Sequence, residues 1–303
     1  MKTIKGIIPP MITPLKGDDQ IDREGTVRLT EHILAGGVHA LFLLGTTGEA
    51  QSLSYECRYD FVELVCRQVA GRVPVLVGVT DTSLDESVKL AAHAAKCGAV
   101  AVVAAAPYYF APSQQELIEY YTALADALPL PLYLYNMPSH VKVFLEPATV
   151  KTLAEHPNIV GLKDSSANMT YFQTLLYHLG DNPDFSLYVG PEELTGECVL
   201  LGADGGVNGG ANIFPELYVA MYDAACAHDI ARVREIQRRI MQISTSVYTV
   251  GKYGSSYLKG VKCALSLLGV CDDYLSYPYR KFRTEERARI RQALEALGAN
   301  CNV

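Results

Sequence analysis

The chain has 303 residues, of which 49% are hydrophobic and 19% are charged, and its formal net charge is −7. These values are typical of a globular protein, and the acidic balance without a basic stretch excludes the usual nucleic-acid binders. The first residues lack the apolar core of a signal peptide, and no apolar run of membrane length follows. The eight cysteines form no CxxC pair. They are expected to be reduced thiols of a cytoplasmic protein.

Short apolar segments alternate with segments of helical periodicity along most of the chain. The predicted strands are 6–11, 38–44, 73–79, 100–105, 132–135, 158–163, 185–189 and 205–207. The predicted helices are 22–36, 54–70, 83–97, 114–127, 147–155, 171–179, 192–201 and 215–226. Eight closely spaced strand–helix units predict an α/β fold, a (β/α)8 TIM barrel. The alternative is an open doubly wound sheet. That sheet would need a glycine-rich phosphate loop after its first strand, and residues 12–15 do not form one.

The remaining residues have no strand–helix alternation. Segments 231–240 and 284–297 have helical periodicity, so the last part of the chain is predicted to be helical. We therefore expect the barrel to span residues 1–228. Residues 229–303 are expected to form a C-terminal helical extension that packs on the barrel.

Three strands are followed by groups suited to chemistry. The second is followed by Gly-Thr-Thr-Gly-Glu at 45–49, the fourth by Pro-Tyr-Tyr at 107–109, and the fifth ends in Tyr-Asn-Met-Pro at 135–138. Glycines permit a tight turn whose hydroxyls and backbone N–H groups can hold a carboxylate. Taken singly, such groups are more often ordinary turns or packing tyrosines. Because barrel chemistry lies at the C-terminal ends of strands, their joint occurrence there predicts an active site.

The sixth strand carries Lys163 at its C-terminal end, on the same face as Ile159 and Gly161. Desolvation in such a position favours a neutral amine that can attack a carbonyl. The ordinary alternative is a lysine that extends its ammonium group to solvent.

The motifs GTTGE, PYY, YNMP and GLKD, at this spacing, resemble the family of dihydrodipicolinate synthase and N-acetylneuraminate lyase over almost the whole chain. The resemblance implies a class I, Schiff-base lyase or aldolase on a (β/α)8 barrel. It implies that Lys163 forms the imine, Tyr135 relays protons, and Thr46 and Thr47 hold the carboxylate of a 2-oxo acid. It also implies that Tyr109 enters the site of a neighbouring subunit and completes a relay through Thr46. A homotetramer, built as a dimer of dimers, is therefore expected.

One position departs from the synthase pattern, because His140 follows Pro138-Ser139 where dihydrodipicolinate synthases have an arginine. An imidazole cannot replace the bidentate guanidinium fork that grips a second carboxylate. Carboxylates and amides elsewhere are plausible partners for sugar hydroxyls, although Glu192 and Glu193 also suit a helix N-terminus. The predicted substrate-binding residues are Thr46, Thr47, Gly48, His140, Ser165, Gly190, Glu192, Val207 and Asn208.

The leading interpretation is a pyruvate-dependent aldolase or lyase that acts on a 2-keto-3-deoxy sugar acid. The alternatives are 4-hydroxy-tetrahydrodipicolinate synthase with aspartate semialdehyde, N-acetylneuraminate lyase, and a non-enzymatic 2-oxo-acid-binding regulator. We expect no cofactor beyond the covalent imine on Lys163. No metal is expected either, since the seven histidines lack metal-ligand spacing. The expected partners are pyruvate and an aldehyde, with neither nucleic acid nor membrane.

Overall fold

The computed structural model describes residues 4–301. Its strands are β1 (Gly6–Ile7), β2 (Leu15–Gly17), β3 (Gln20–Ile21), β4 (Leu41–Leu43), β5 (Val75–Gly78), β6 (Ala101–Ala105), β7 (Leu132–Asn136), β8 (Ile159–Asp164), β9 (Ser186–Val189) and β10 (Gly205–Gly206). Its helices are α1 (Arg23–Ala35), α2 (Tyr55–Val69), α3 (Leu84–Lys96), α4 (Gln114–Ala127), α5 (Pro138–Val141), α6 (Pro147–Leu153), α7 (Met169–Leu179), α8 (Thr195–Leu200), α9 (Pro215–Cys226), α10 (Ile230–Ser246), α11 (Ser256–Leu267) and α12 (Thr284–Ala296).

Eight of these strands pair in parallel in the order β1-β10-β9-β8-β7-β6-β5-β4. The segment after β1 returns to β4 through a parallel bridge between Pro10 and Phe42. The Phe42 N–H donates to the Pro9 carbonyl at 3.0 Å, and the Met11 N–H donates to the Phe42 carbonyl at 2.9 Å. These bonds close the sheet on itself, and the predicted (β/α)8 barrel is confirmed. Outside it, β2 and β3 form a short antiparallel hairpin.

Local sequence signals explain most helix ends. Asp22, Ser54 and Ser83 accept hydrogen bonds from the first turns of α1, α2 and α3, and Ser113 forms a capping box with Glu116 on α4. Side chains of this type satisfy N–H groups that have no partner within the helix. These caps place the starts of helices α1 to α4 within a few residues of the predicted positions.

The predicted helix 192–201 is helical, but its first turn is not α-helical. A 3₁₀ turn spans Glu192–Leu194, and the α-helical part begins only at Thr195. The Glu192 side chain is buried and hydrogen-bonded to Tyr218 on α9 and Tyr248 beyond α10, instead of capping a solvated helix start. The sequence analysis also missed α5 and α11, which lie beside the cleft described below.

The C-terminal helices share one apolar core with the barrel, through buried residues such as Ile236, Ile240, Leu265 and Leu294. The helical character of this part of the chain is confirmed. The division into units 1–228 and 229–303 stays a prediction, and residues 1–3 and 302–303 lie outside the described residues. None of the helices between residues 4 and 301 combines the length and the apolarity that a bilayer span requires.

All eight cysteines are free thiols. Burial raises the pKa of Cys57 to about 11 and the pKa of Cys198 to about 12. Thiols of this kind are protonated at neutral pH and are poor nucleophiles. The buried cysteines pack as small apolar side chains, whereas Cys226 is exposed.

Candidate active site

A cleft with two adjoining lobes lies at the C-terminal ends of the barrel strands. The larger lobe has a volume of about 640 Å³, and the smaller has about 370 Å³. The residues that line both lobes are Thr46, Gln51, Tyr135, Met137, His140 and Tyr279. Lys163, Ser165, Gly190, Glu192 and Val207 line the larger lobe. The strand ends therefore bring most of the predicted site residues together.

Lys163 lies on β8 at the base of the cleft. Strand pairing sets it between Tyr135 of β7 and Tyr188 of β9. Its side chain is buried, and its Nζ lies 4.2 Å from the ring centroid of Tyr135 and 5.2 Å from that of Phe42. Among residues 4–301, two ion pairs have both side chains buried, Arg58–Asp81 and Lys262–Glu49, and neither of them includes Lys163. The Lys163 amine therefore faces aromatic rings without a carboxylate partner, and it remains available to a ligand.

Tyr135 stands between Lys163 and the turn after β4. Its side chain is 5% exposed, and its hydroxyl lies 3.4 Å from Oγ1 of Thr46. This contact is long for an O–H···O hydrogen bond, so it is weak. The phenol can exchange a proton with a group bound at Lys163 and pass it to Thr46. This is the placement that proton relay requires.

Thr46, Thr47 and Gly48 form a 3₁₀ turn immediately after β4. The Thr13 hydroxyl donates to the Gly48 carbonyl at 2.7 Å, which holds the turn against the segment that follows β1. The Thr47 hydroxyl lies 3.1 Å from the hydroxyl of Tyr257 on α11. Sequence reasoning missed Tyr257, because no motif surrounds it and its helix was not predicted.

The end of β8 is fixed to the end of β7 by a buried carboxylate. Asp164 accepts a hydrogen bond from the Asn136 side-chain amide at 2.8 Å. It also accepts bonds from the backbone N–H and the hydroxyl of Ser166 at 3.0 and 2.9 Å. Burial raises the pKa of Asp164, and these bonds act in the opposite direction. This hydrogen bond fixes the position of Tyr135 relative to Lys163, because each of them lies one residue before a member of the Asn136–Asp164 pair.

Ser165 and Gly190 form the opposite wall, whereas the predicted site residue Asn208 is fully buried and does not line the cleft. The Gly190 N–H donates to the Asp164 carbonyl at 2.7 Å, and the Asn208 amide donates to the Gly190 carbonyl at 3.4 Å. A Cβ atom on Gly190 would lie 2.0 Å from Oγ of Ser165 and 3.1 Å from the Asp164 carbonyl, so a larger residue would displace the Ser165 side chain. Val207 is buried below this wall, in the barrel interior with Lys163.

Glu192 lines the cleft, but its carboxylate is already engaged. Oε1 accepts hydrogen bonds from Tyr218 at 2.5 Å and Tyr248 at 2.6 Å, while Oε2 accepts from the Gly210 N–H at 2.7 Å. Burial raises the pKa of this carboxyl to about 7. The neighbouring Glu193 accepts a hydrogen bond from Ser244. Both acids thus connect the barrel to the C-terminal helices.

His140 lies on α5 at the rim of the cleft, where it is exposed. Its Nδ1 lies 2.9 Å from Oγ of Ser139. Partial desolvation of the imidazole and the positive charge of Lys142 lower the pKa of His140. The rim therefore presents a neutral imidazole at neutral pH.

Among residues 4–301, no three His, Cys, Asp or Glu side chains are arranged to hold a metal ion.

Tyr109 does not reach the cleft of its own chain. Its side chain is 87% exposed, its backbone has a φ of 89°, and its ring packs edge-to-face on the equally exposed Phe110 at 5.2 Å. Tyr108, by contrast, lines the smaller lobe. A role for Tyr109 in catalysis therefore requires a second copy of the chain.

Comparison with known proteins decides the family. A profile of the Dihydrodipicolinate synthetase family matches residues 3–297. The chain belongs to this family. It is 32% identical to the Escherichia coli K12 protein named probable 2-dehydro-3-deoxy-D-pentonate aldolase YjhH, over 98% of this chain and 99% of that protein. The family's fold and its lysine Schiff-base chemistry make the protein a class I aldolase or lyase.

Two solved structures of the dihydrodipicolinate synthetase family superpose closely on this one. Dihydrodipicolinate synthase from Bacteroides thetaiotaomicron gives a TM-score of 0.95 at 59% identity, over 98% of this chain and 99% of that chain. Escherichia coli YagE, solved in complex with pyruvate, gives 0.92 at 31% identity, over 98% of this chain and 99% of that chain. The family barrel and its helical C-terminal part are thus present in this protein.

The buried Glu192 predicts a specific pH dependence of stability. Its pKa rises from 4.5 in the unfolded chain to about 7 in the folded protein. As pH increases between these values, the unfolded chain releases its proton first, so the carboxyl progressively destabilises the fold, by up to about 3 kcal/mol. Glu192→Gln should remove this slope. The free energy of unfolding of the wild type, relative to that of the variant, should fall between pH 4.5 and pH 7 and then stay constant.

Urea unfolding at several pH values measures this difference. Hydrogen bonds that the variant loses change its free energy of unfolding by an amount that does not depend on pH. The test is therefore the pH dependence of the difference between wild type and variant. Glu197→Gln, which alters an exposed carboxyl on α8, is the control and should leave the slope intact. A constant difference between wild type and Glu192→Gln would contradict the assignment.

Proposed function

We propose that the protein uses Lys163 to form a Schiff base with pyruvate and to break or form a carbon–carbon bond next to it. The observation that supports this most directly is the buried Lys163 amine, 4.2 Å from the Tyr135 ring and without a carboxylate partner. The pyruvate in the YagE structure supports the same substrate. No external cofactor is needed, because the protonated imine itself withdraws electrons.

The proposed reaction in the cleavage direction begins with attack of the Lys163 amine on the C2 carbonyl of the substrate. A proton from Tyr135 carries the carbinol hydroxyl off as water, which gives the protonated imine and leaves Tyr135 as a phenolate. The C4 hydroxyl then gives its proton to Tyr135 while the C3–C4 bond breaks, which releases an aldehyde and leaves an enamine on Lys163. Protonation of C3 and hydrolysis of the imine return pyruvate and the free lysine. Tyr135 acts as acid in imine formation, as base in cleavage and as acid again at C3, and hydrolysis of the imine returns its proton; its contact with Thr46 connects it to the turn.

The turn Thr46–Gly48 is proposed to hold the carboxylate of the 2-oxo acid. It offers two hydroxyls and backbone N–H groups next to Tyr135, on the wall of the lobe that contains Lys163. Grouped N–H donors in a tight turn are suited to an anion. This carboxylate would bring the substrate's C2 carbonyl towards the amine.

We propose a 2-keto-3-deoxy sugar acid as the substrate. His140 offers a neutral imidazole where a second carboxylate would need a guanidinium fork. Ser165 is an uncharged group on the opposite wall that can bind a hydroxyl. The similarity to YjhH, named as an aldolase of a 3-deoxy sugar acid, supports this choice. With its carboxylate engaged, Glu192 would bind a hydroxyl only by giving up one of its present bonds.

Dihydrodipicolinate synthase activity is the second candidate. The Bacteroides thetaiotaomicron structure of that name, at 59% identity, favours it. It requires aspartate semialdehyde as acceptor, with His140 replacing the arginine that meets the second carboxylate. N-acetylneuraminate lyase activity is a weaker candidate, because residues 163–166, Lys-Asp-Ser-Ser, depart from the pattern of those lyases.

A first experiment tests the covalent intermediate. Borohydride reduction in the presence of pyruvate should add the mass of a reduced pyruvyl group to the peptide that contains Lys163. Tyr135→Phe should still form this adduct but should slow turnover by about 10²-fold to 10⁴-fold, because one proton-transfer group is lost. Lys163→Met is the control and should not be labelled. Labelling of another lysine would disprove the mechanism, and near-normal turnover of Tyr135→Phe would remove Tyr135 from the relay.

A second experiment separates the two substrates. We expect the wild type to have a higher kcat/KM for glyceraldehyde than for aspartate semialdehyde when each is condensed with pyruvate. His140→Arg should shift this ratio towards the semialdehyde, since a polar site penalises the substrate that leaves it unpaired. His156→Arg, remote from the residues that line the cleft, is the matched control and should leave the ratio unchanged. Preferred use of the semialdehyde by the wild type would establish the synthase activity instead.

A third experiment tests the proposed assembly, a homotetramer arranged as a dimer of dimers. The exposed Tyr109–Phe110 pair suits an interface through which each site receives a tyrosine from its neighbour. Mixing inactive Tyr109→Phe with inactive Lys163→Met should therefore restore part of the activity, in hybrids that hold one intact site. Light scattering should report an oligomer. A fully active monomer, or the absence of complementation between the two variants, would contradict the shared site.

A further inference from the structure

We propose that Glu49 and Lys262 are positioning residues for the turn Thr46–Gly48. Through them the C-terminal helices set the affinity of the site for the 2-oxo acid. This inference rests on the proposed role of the turn in binding the carboxylate. It assigns a function to the last residue of the Gly-Thr-Thr-Gly-Glu motif, which does not line the cleft.

Glu49 follows the turn directly and has a left-handed backbone, with a φ of 57°. This conformation is unfavourable for residues other than glycine, so other contacts must hold it. The Glu49 carboxylate is fully buried, forms an ion pair with Lys262, and accepts a hydrogen bond from the Ser276 N–H at 2.9 Å. The side chain therefore fixes the backbone at which the turn ends.

Lys262 lies on α11 and is also fully buried. Its Nζ donates to the Tyr274 carbonyl at 2.7 Å, which leaves the ammonium both paired and hydrogen-bonded. The same helix carries Tyr257, whose hydroxyl contacts that of Thr47. One C-terminal helix thus holds the turn at two points, at Thr47 and at the residue that follows Gly48.

A buried ion pair is a weak source of net stability, because both charges lose their hydration on folding. Replacement of both partners by neutral groups of similar volume is often tolerated, whereas removal of one partner leaves an isolated buried charge. A double variant can therefore distinguish an effect on substrate binding from an effect on stability. A neutral pair at positions 49 and 262 should restore the stability, but it lacks the charged bond that holds the left-handed backbone at position 49.

The experiment compares Glu49→Gln, Lys262→Met and the double variant. Each single variant should lower Tm and raise the pyruvate concentration that half-saturates borohydride trapping, by up to about 10²-fold. The value of kcat at saturating pyruvate should change less. The double variant should recover most of the lost Tm, yet its half-saturating concentration should stay well above that of the wild type.

Arg287→Met is the matched control. It removes the Arg287–Asp273 ion pair in the same C-terminal region, without contact to the turn. It should lower Tm and leave half-saturation by pyruvate unchanged. A double variant that matches the wild type in half-saturation would overturn the inference, and so would single variants that lose only stability. If the single variants do not fold, the double variant decides.

Calorimetric titration with pyruvate gives a second readout that does not depend on trapping. A wild type that binds pyruvate without forming an adduct would refute the Schiff-base proposal, while the affinities of the variants would still test the positioning role. Unchanged pyruvate affinity in the double variant would refute that role even if the adduct forms on Lys163.

Discussion

The site depends on the register of three neighbouring parallel strands. Pairing of β7, β8 and β9 aligns Tyr135, Lys163 and Tyr188 across the sheet. Because side chains alternate along a strand, a shift of one residue in β8 would turn Lys163 out of the barrel. The buried Asn136–Asp164 hydrogen bond fixes this register at the strand ends. Gly161 contributes as well, since a Cβ atom there would lie 2.6 Å from the ring of Tyr133.

Buried polar groups connect the barrel to the C-terminal helices at two places around the cleft. Glu192 binds Tyr218 on α9 and Tyr248 beyond α10, and Glu49 binds Lys262 on α11. Tyr248 and Tyr257 also pack edge-to-face, with ring centroids 4.8 Å apart. Groups of this kind are costly to bury unless they are satisfied, so they specify one arrangement of the helices around the cleft. The C-terminal region is therefore part of the site's support as well as part of the core.

The two ends of the cleft differ in chemistry. Around Lys163, aromatic rings and the turn Thr46–Gly48 create a setting for a 2-oxo acid, and this part is shared with the family's general reaction. In the proposed complex, the rim near His140 and the wall near Ser165 would meet the remainder of the substrate. On that proposal, substrate choice depends on a few side chains, while the barrel that presents Lys163 stays the same.

The sequence by itself determined the barrel, most helix boundaries and the central residues of the site. These follow from local patterns: apolar segments at regular spacing, capping side chains such as Asp22 and Ser113, and motifs at strand ends. The family resemblance assigned the chemistry to Lys163 and Tyr135. Local signals of this kind suffice because strand order in a barrel follows chain order, so consecutive strand ends become neighbours.

Only the tertiary structure decided how the site is held. Tyr257 meets Thr47 across 210 residues of sequence, and Ser276 meets Glu49 across 227. No periodicity or motif encodes such contacts, since they depend on how the last helices pack over the barrel. Tertiary contacts with Tyr218 and Tyr248 turned Glu192 from an expected ligand for substrate hydroxyls into a buried acid, and Tyr109 is exposed. A side chain's partners are set by the three-dimensional arrangement of distant segments, which a linear pattern does not contain.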